Sequence, residues 1–164
     1  MKANLLWIFL VFFACTPSAK TEVDVVDMDQ LESLYSKDQN TLYVVNFWAT
    51  WCKPCVQEMP LFNKLSQKEM AGVEVIMVSL DFPEDMDKKL KPFLEQRKLH
   101  PKVVLLDAGN PNDWIDRVSP EWGGAIPGTL FIRESDNLRE FYEGEFQEGE
   151  LQDYVNELLK NKTT

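Results

Sequence analysis

One stretch restricts this chain more than any other: an almost wholly apolar run, Leu42-Tyr43-Val44-Val45-Asn46-Phe47-Trp48, followed at once by Trp51-Cys52-Lys53-Pro54-Cys55. The apolar run reads as a buried strand. Beyond the cysteines, Val56, Met59 and Phe62 fall at helical spacing, which predicts a helix over 56–68. The first cysteine then sits at a strand-to-helix junction. Unpaired backbone N–H groups and the positive end of the helix dipole favour a thiolate there. Cys55 follows one helical turn on, within reach for a disulfide. Reversible disulfide exchange is the chemistry this spacing favours. The rival is half of a zinc site, but zinc normally takes four ligands. The only other candidates are Cys15 and the single histidine, His100.

The rest of the pattern predicts one α/β domain around that junction. A chain of 164 residues suffices for one core. Val23–Val26 is a short strand candidate. Asp27 with Gln30 forms a capping-box signature for a helix bearing Met28, Leu31, Leu34 and Tyr35. Pro60 should kink the cysteine helix. Val73–Leu80 is a third strand, and 85–98 reads as a helix that Pro92 weakens. Val103–Leu106 is another strand. Pro111–Val118 predicts a helix with Trp114, Ile115 and Val118 inward. Thr129–Ile132 and Leu138–Glu143 predict a hairpin around Ser135-Asp136-Asn137. Leu151, Tyr154, Val155, Leu158 and Leu159 mark a terminal helix. Alternating strands and helices, closed by a hairpin and helix, give a mixed central sheet flanked by helices.

The N-terminus reads as a targeting segment. Lys2 precedes the apolar run Leu5–Phe13, which is far below the roughly 20 residues of a membrane-spanning helix. Ala14-Cys15 resembles the lipobox of bacterial lipoproteins, although Phe12 and Phe13 depart from it. An ordinary signal peptide cut nearby and an uncleaved apolar stub are the other readings. The expectation is a signal peptide over 1–14, a lipidated tether over 15–21 with the lipid on Cys15, and a domain over 22–164. Lipid on Cys15 would leave Cys52 and Cys55 as the only pair among three cysteines, which suits a catalytic bridge in an oxidising compartment. A net charge of −10 and the lack of a basic stripe argue against nucleic acid as a partner.

Val44 through Cys55, continued by Glu58-Met59-Pro60, resembles the thioredoxin superfamily, and within it the TlpA/ResA-like exported thiol–disulfide oxidoreductases. A second signature, Trp122-Gly123-Gly124-Ala125-Ile126-Pro127-Gly128-Thr129-Leu130-Phe131, is similar to that family's cis-proline segment and the strand after it. The likeness spans roughly residues 22 to 160. It implies a thioredoxin-like fold with a helical insert after the third strand. Cys52 would be an exposed nucleophile and Cys55 the more buried resolving thiol. Pro127 would be cis, and the backbone of Ile126 would pair with an extended substrate segment. Many thioredoxins carry a buried Asp where this chain has Asn46. The ResA-like branch has Glu at the position of Glu58, where it moves protons for the cysteines. Glu58 should therefore be partly buried with a raised pKa.

Trp51 would shield the disulfide and offer a platform to substrate, while Trp48 belongs to the core. Trp114 and Trp122 read as packing residues, with Trp122 also a candidate to line the groove beside Pro127. The two residues between the cysteines, Lys53 and Pro54, would tune the redox potential, and Pro54 suits the first turn of a helix. Lys53 adds a positive charge that solvent screens, so its influence on potential is small. No metal or cofactor beyond the cysteine pair is implied. The implied partners are protein disulfides outside the cytoplasm, apocytochrome c among them, and a membrane electron donor. The rivals are a disulfide-forming oxidase, a peroxiredoxin relative, a Sco-type copper protein and a binding module with an idle pair. A peroxiredoxin needs Pro-x-x-x-Thr-x-x-Cys, which is absent; a Sco protein needs Cys-x-x-x-Cys and a distal His.

Overall fold

A computed structural model describes residues 22–161. Among the described residues six strands form one sheet: β1 (Asp24–Val26), β2 (Leu42–Trp48), β3 (Val73–Ser79), β4 (Lys102–Leu106), β5 (Gly128–Arg133) and β6 (Leu138–Glu143). Their order is β1-β4-β3-β2-β5-β6. β2 is the seam. It runs parallel to β3, with Val44 opposite Val75, and antiparallel to β5, with Asn46 opposite Thr129. One half of the sheet is therefore parallel, fed by crossover helices, and the other is a hairpin. In β2, Leu42, Val44 and Trp48 join the core on one face, and Tyr43, Val45 and Phe47 that on the other. Asn46 points by the same alternation to the first face.

The helices are α1 (Met28–Leu34), α2 (Lys53–Gln67), α3 (Lys91–Arg97), α4 (Ile115–Val118) and α5 (Glu150–Lys160). The first-face core gathers Met59, Phe62 and Leu65 of α2 with Leu151, Val155 and Leu158 of α5. The opposite core gathers Met28 and Leu31 of α1 with Trp114 and Val118. Phe62 is fully buried, and truncating such a residue to alanine costs about 3–5 kcal/mol. α1 begins with the expected capping box: Asp27 accepts from the Gln30 N–H at 2.8 Å, and the Gln30 side chain accepts from the Asp27 N–H at 3.0 Å. α2 runs without a break through Pro60.

Two segments depart from the sequence reading. The stretch read as one helix over 85–98 is a 3-10 turn at Pro83–Asp85, a π turn at Met86–Leu90 and then α3. Pro92 explains this. It has no N–H to give to the carbonyl four residues back, and its ring needs room there. The wider π turn, in which the Lys91 N–H reaches the Met86 carbonyl, supplies that room. The segment 111–118 likewise divides into a 3-10 turn and α4, with Trp114 as the break.

Candidate active site

α2 starts at the carboxyl end of β2, and Cys52 is its N-cap. Cys52 and Cys55 are joined in a disulfide, with their Cα atoms 5.3 Å apart. The Cys55 N–H points at Cys52 Sγ from 3.3 Å. When the pair is reduced, that N–H and the helix dipole stabilise a thiolate on Cys52. Cys55 is 1% exposed and Cys52 only 5%, so Cys52 is not the exposed residue the sequence suggested. The bridge draws its sulfur toward Cys55, and the proline loop closes over it: Cys52 Sγ lies 3.7 Å from the Ile126 carbonyl oxygen.

That loop is held by packing. The Ile126–Pro127 peptide is cis. Trp122 donates its indole N–H to the Ala125 carbonyl at 2.8 Å, and the Gly144 N–H donates to the Pro127 carbonyl at 2.9 Å. Gly128 permits a close approach: a Cβ there would lie 2.7 Å from Phe141 Cζ, and the Phe141 ring would have to shift. Trp122 itself packs between Phe47, Trp114 and Phe141.

Behind the disulfide, Glu58 projects from the second turn of α2 and is 1% exposed. One carboxyl oxygen accepts the Phe146 N–H at 2.8 Å; the other accepts from the Asn46 amide at 3.0 Å. The same Asn46 nitrogen reaches Thr129 Oγ1 at 3.1 Å. Burial pushes the Glu58 carboxyl up to about 7, against the pull of its two donors, and nearby Glu145 adds to the rise. Such a group exchanges a proton near neutral pH. The sequence singled out Glu58 and Asn46. Thr129 and the Phe146 amide were missed, the latter because a backbone N–H leaves no trace in residue type.

Beside the proline loop lies a groove of about 380 Å³, whose lining includes Trp51, Leu80, Phe82, Trp114, Trp122 and Ile126. Trp51 is 63% exposed and Phe82 62%. The floor of one lip is Asp81. Its carboxylate accepts from the Thr50 N–H at 3.0 Å, from the Thr50 hydroxyl, and from the Ser79 hydroxyl at 2.8 Å. Asp81, Thr50 and Phe82 also escaped the sequence reading. Lys53 is exposed, and Pro54 stands in the first turn of α2.

His100 takes no part. Its Nδ1 lies 2.8 Å from Ser66 Oγ in the last turn of α2, about 20 Å along the helix from Cys52. Among the described residues no group of three or more His, Cys, Asp or Glu side chains is placed to hold a metal ion. Cys15, with the signal and tether segments, lies outside the described residues.

The comparisons with known proteins agree with this geometry. The sequence model of the AhpC/TSA family matches residues 19–141. The thiol-disulfide oxidoreductase ResA of Oceanobacillus iheyensis is 30% identical over 133 residues, covering 80% of this chain and 65% of that protein. The thioredoxin-like protein YneN of Bacillus subtilis is 34% identical over 71 residues, 43% of this chain and 42% of the relative. The chain thus spans less than two thirds of the length of these curated relatives. A crystal structure of a putative thiol:disulfide interchange protein DsbE from Chlorobium tepidum superposes with a TM-score of 0.57 at 25% identity, over 77% of this chain and 83% of that one. A thioredoxin family protein from Chlorobium tepidum TLS gives 0.61 at 20% identity, over 76% and 83%. With a thioredoxin-like sheet, a disulfide at the head of α2 and a family match over most of its length, the chain belongs to the AhpC/TSA family as a thioredoxin-fold member closely related to the ResA- and DsbE-like thiol–disulfide oxidoreductases.

Proposed function

We propose that this protein is a thiol–disulfide oxidoreductase that works outside the cytoplasm as a reductant of protein disulfides. The observation that carries the reading is the Cys52–Cys55 disulfide at the head of α2, with the Ile126 carbonyl 3.7 Å from Cys52 Sγ and Glu58 buried behind. In the reduced protein the Cys52 thiolate attacks a substrate disulfide. A mixed disulfide forms and one substrate thiolate leaves. Cys55 gives its proton to Glu58 and attacks Cys52 Sγ, releasing the second substrate sulfur and restoring the bridge. Two electrons pass to the substrate, and a membrane electron donor returns them. Ile126 and Pro127 align the substrate segment, and Trp51 supports it.

Exported proteins with unwanted disulfides and apocytochrome c are the proposed clients. Leu5–Phe13 and Ala14-Cys15 support a signal peptide over 1–14, a tether over 15–21 and a lipid anchor on Cys15. The domain proper is then 22–164.

The test is a redox titration together with insulin reduction. A potential near roughly −270 mV or lower and turnover of insulin are expected. A value near roughly −120 mV makes the protein an oxidant and reverses the direction. Rapid oxidation of the reduced protein by hydrogen peroxide would move it to the peroxide-reducing branch instead. Trapping on Cys52 in a Cys55→Ala variant in the native host identifies the client.

A further inference from the structure

Asp81 is 3% exposed, and its donors come from Thr50 and Ser79. Such a buried carboxylate costs free energy unless its partners are well placed. Here they join two segments that are 31 residues apart in sequence. Ser79 ends β3, and its hydroxyl also accepts the Asp81 N–H at 3.1 Å. Thr50 lies in the turn between β2 and α2. The residue that follows Thr50 is Trp51, and the residue that follows Asp81 is Phe82. Besides Val25, these two are the large apolar side chains exposed among the described residues. They stand on the rim of one groove, which reaches Ile126 beside Cys52. Cys52 has its own supports: its N–H donates to the Ala49 carbonyl at 3.1 Å, and its carbonyl accepts the Val56 N–H at 3.1 Å. The Asp81 tie therefore acts on the groove more than on the sulfur.

The geometry points to Asp81 as a positioning residue that fixes the Trp51 lip against the Phe82 lip and so sets the preference for polypeptide disulfides over small ones. The occupant is an extended peptide with an apolar or aromatic side chain beside its disulfide-bonded cysteine. The groove is lined by Ile126, whose carbonyl lies 3.7 Å from Cys52 Sγ, and by Trp51, the neighbour of Cys52 in the chain, which supports this choice. A small disulfide needs only the sulfur; a peptide needs both lips at the right separation, and a misplaced platform weakens its binding. This inference rests on the exchange reaction proposed above.

The experiment uses the full chain, reduced, with insulin as the polypeptide disulfide and glutathione disulfide as the small one. In Asp81→Ala the ratio of kcat/KM for insulin to that for glutathione disulfide falls about tenfold, through KM. Asp81→Asn keeps one acceptor oxygen and recovers part of the ratio. In a Trp51→Ala background the same Asp81→Ala change shifts the ratio by less than about twofold, because the lip it acts through is gone. If Asp81→Ala does not fold, Thr50→Val carries the test; it removes one donor and lowers the ratio about threefold. A fall of both substrates by one common factor, or an unchanged ratio in the folded variants, overturns the inference. A wild-type protein that reduces neither substrate overturns the exchange reading itself.

Discussion

The disulfide sits where two unlike halves of the sheet meet, and the halves serve it differently. The antiparallel half, β5 and β6, supplies the proline loop, Thr129 and the Phe146 amide that holds Glu58. The parallel half, β3 and the turns beyond it, supplies Asp81, Phe82 and most of the groove floor. Both halves bury a carboxylate. Glu58 meets two donors in an otherwise apolar setting, and burial raises it to about 7. Asp81 is held by a backbone N–H and two hydroxyls that tie loops together. One half manages protons, the other manages shape. The lesson is that a buried carboxylate gains its role from what its donors are attached to.

The most severe way to break the comparison is to remove the sulfur at the seam. Cys52→Ser should abolish disulfide reduction with both polypeptide and small substrates, by at least roughly 10³-fold. Residual turnover near the wild-type rate would show that neither half serves this pair. Next in size is Glu58→Gln, which removes the proton exchanger and keeps its shape. The Asn46 amide can turn its free Oδ1 toward the new side-chain nitrogen, which keeps that contact at the cost of the bond from its Nδ2 to Thr129 Oγ1. Reduction rates should fall about 10²-fold, and the pH dependence near 7 should vanish, while the insulin-to-glutathione preference stays put. A changed preference with an intact pH profile would invert the assignment of the two halves.

The same substitution has a thermodynamic signature. The native Glu58 carboxyl holds its proton up to about 7, whereas an unperturbed one releases it near 4.5. Between those values the native state binds the proton and the unfolded chain does not. Stability from this group is complete below 4.5 and is lost as pH rises through 7, by about 3 kcal/mol in all. Urea titrations at pH 5 and pH 8 should show that loss in the wild type and not in Glu58→Gln. Equal slopes in the two proteins would mean that Glu58 titrates as an exposed carboxyl.

How much of this could be read from the chain follows the same division. The strand–cysteine–helix junction was legible because it is local: an apolar run, a capping position, a fixed spacing. The Ile126-Pro127 loop was legible only through its resemblance to the thioredoxin superfamily's cis-proline segment. Asn46 was legible as a departure from the thioredoxin pattern, and Glu58 by its match to the ResA-like branch together with its offset from Cys55. Asp81 and Thr50 were not, since their bond joins residues brought together only when β3 pairs with β2. Phe82 drew no reading, because a single apolar residue after a strand names no site. The helical insert after β3 is present, but its single helix over 85–98 was misread because Pro92 can be absorbed by a π turn as readily as by a helix end, and periodicity does not distinguish the two.

Phe82→Ala tests the shape-managing half alone. Phe82 is largely exposed, so folding should change little. KM for insulin should rise about fivefold, with the pH profile unmoved. A shifted pH profile would mean that the groove and the proton network are one unit.

The smallest effect belongs to Lys53, which lies between the cysteines and in neither half. Its side chain is exposed, while Cys52 and Cys55 on either side of it in the chain are buried in the bridge. A charge in water a few ångströms from a thiolate acts through a high dielectric and is screened further by salt. Lys53→Ala should therefore change the reduction potential by less than about 15 mV and insulin turnover by less than about twofold, both shrinking at 0.5 M salt. A larger, salt-independent shift would place the ammonium against the sulfur when the pair is reduced. The surface of the helix would then have to be counted with the two halves of the sheet as a third control on the disulfide.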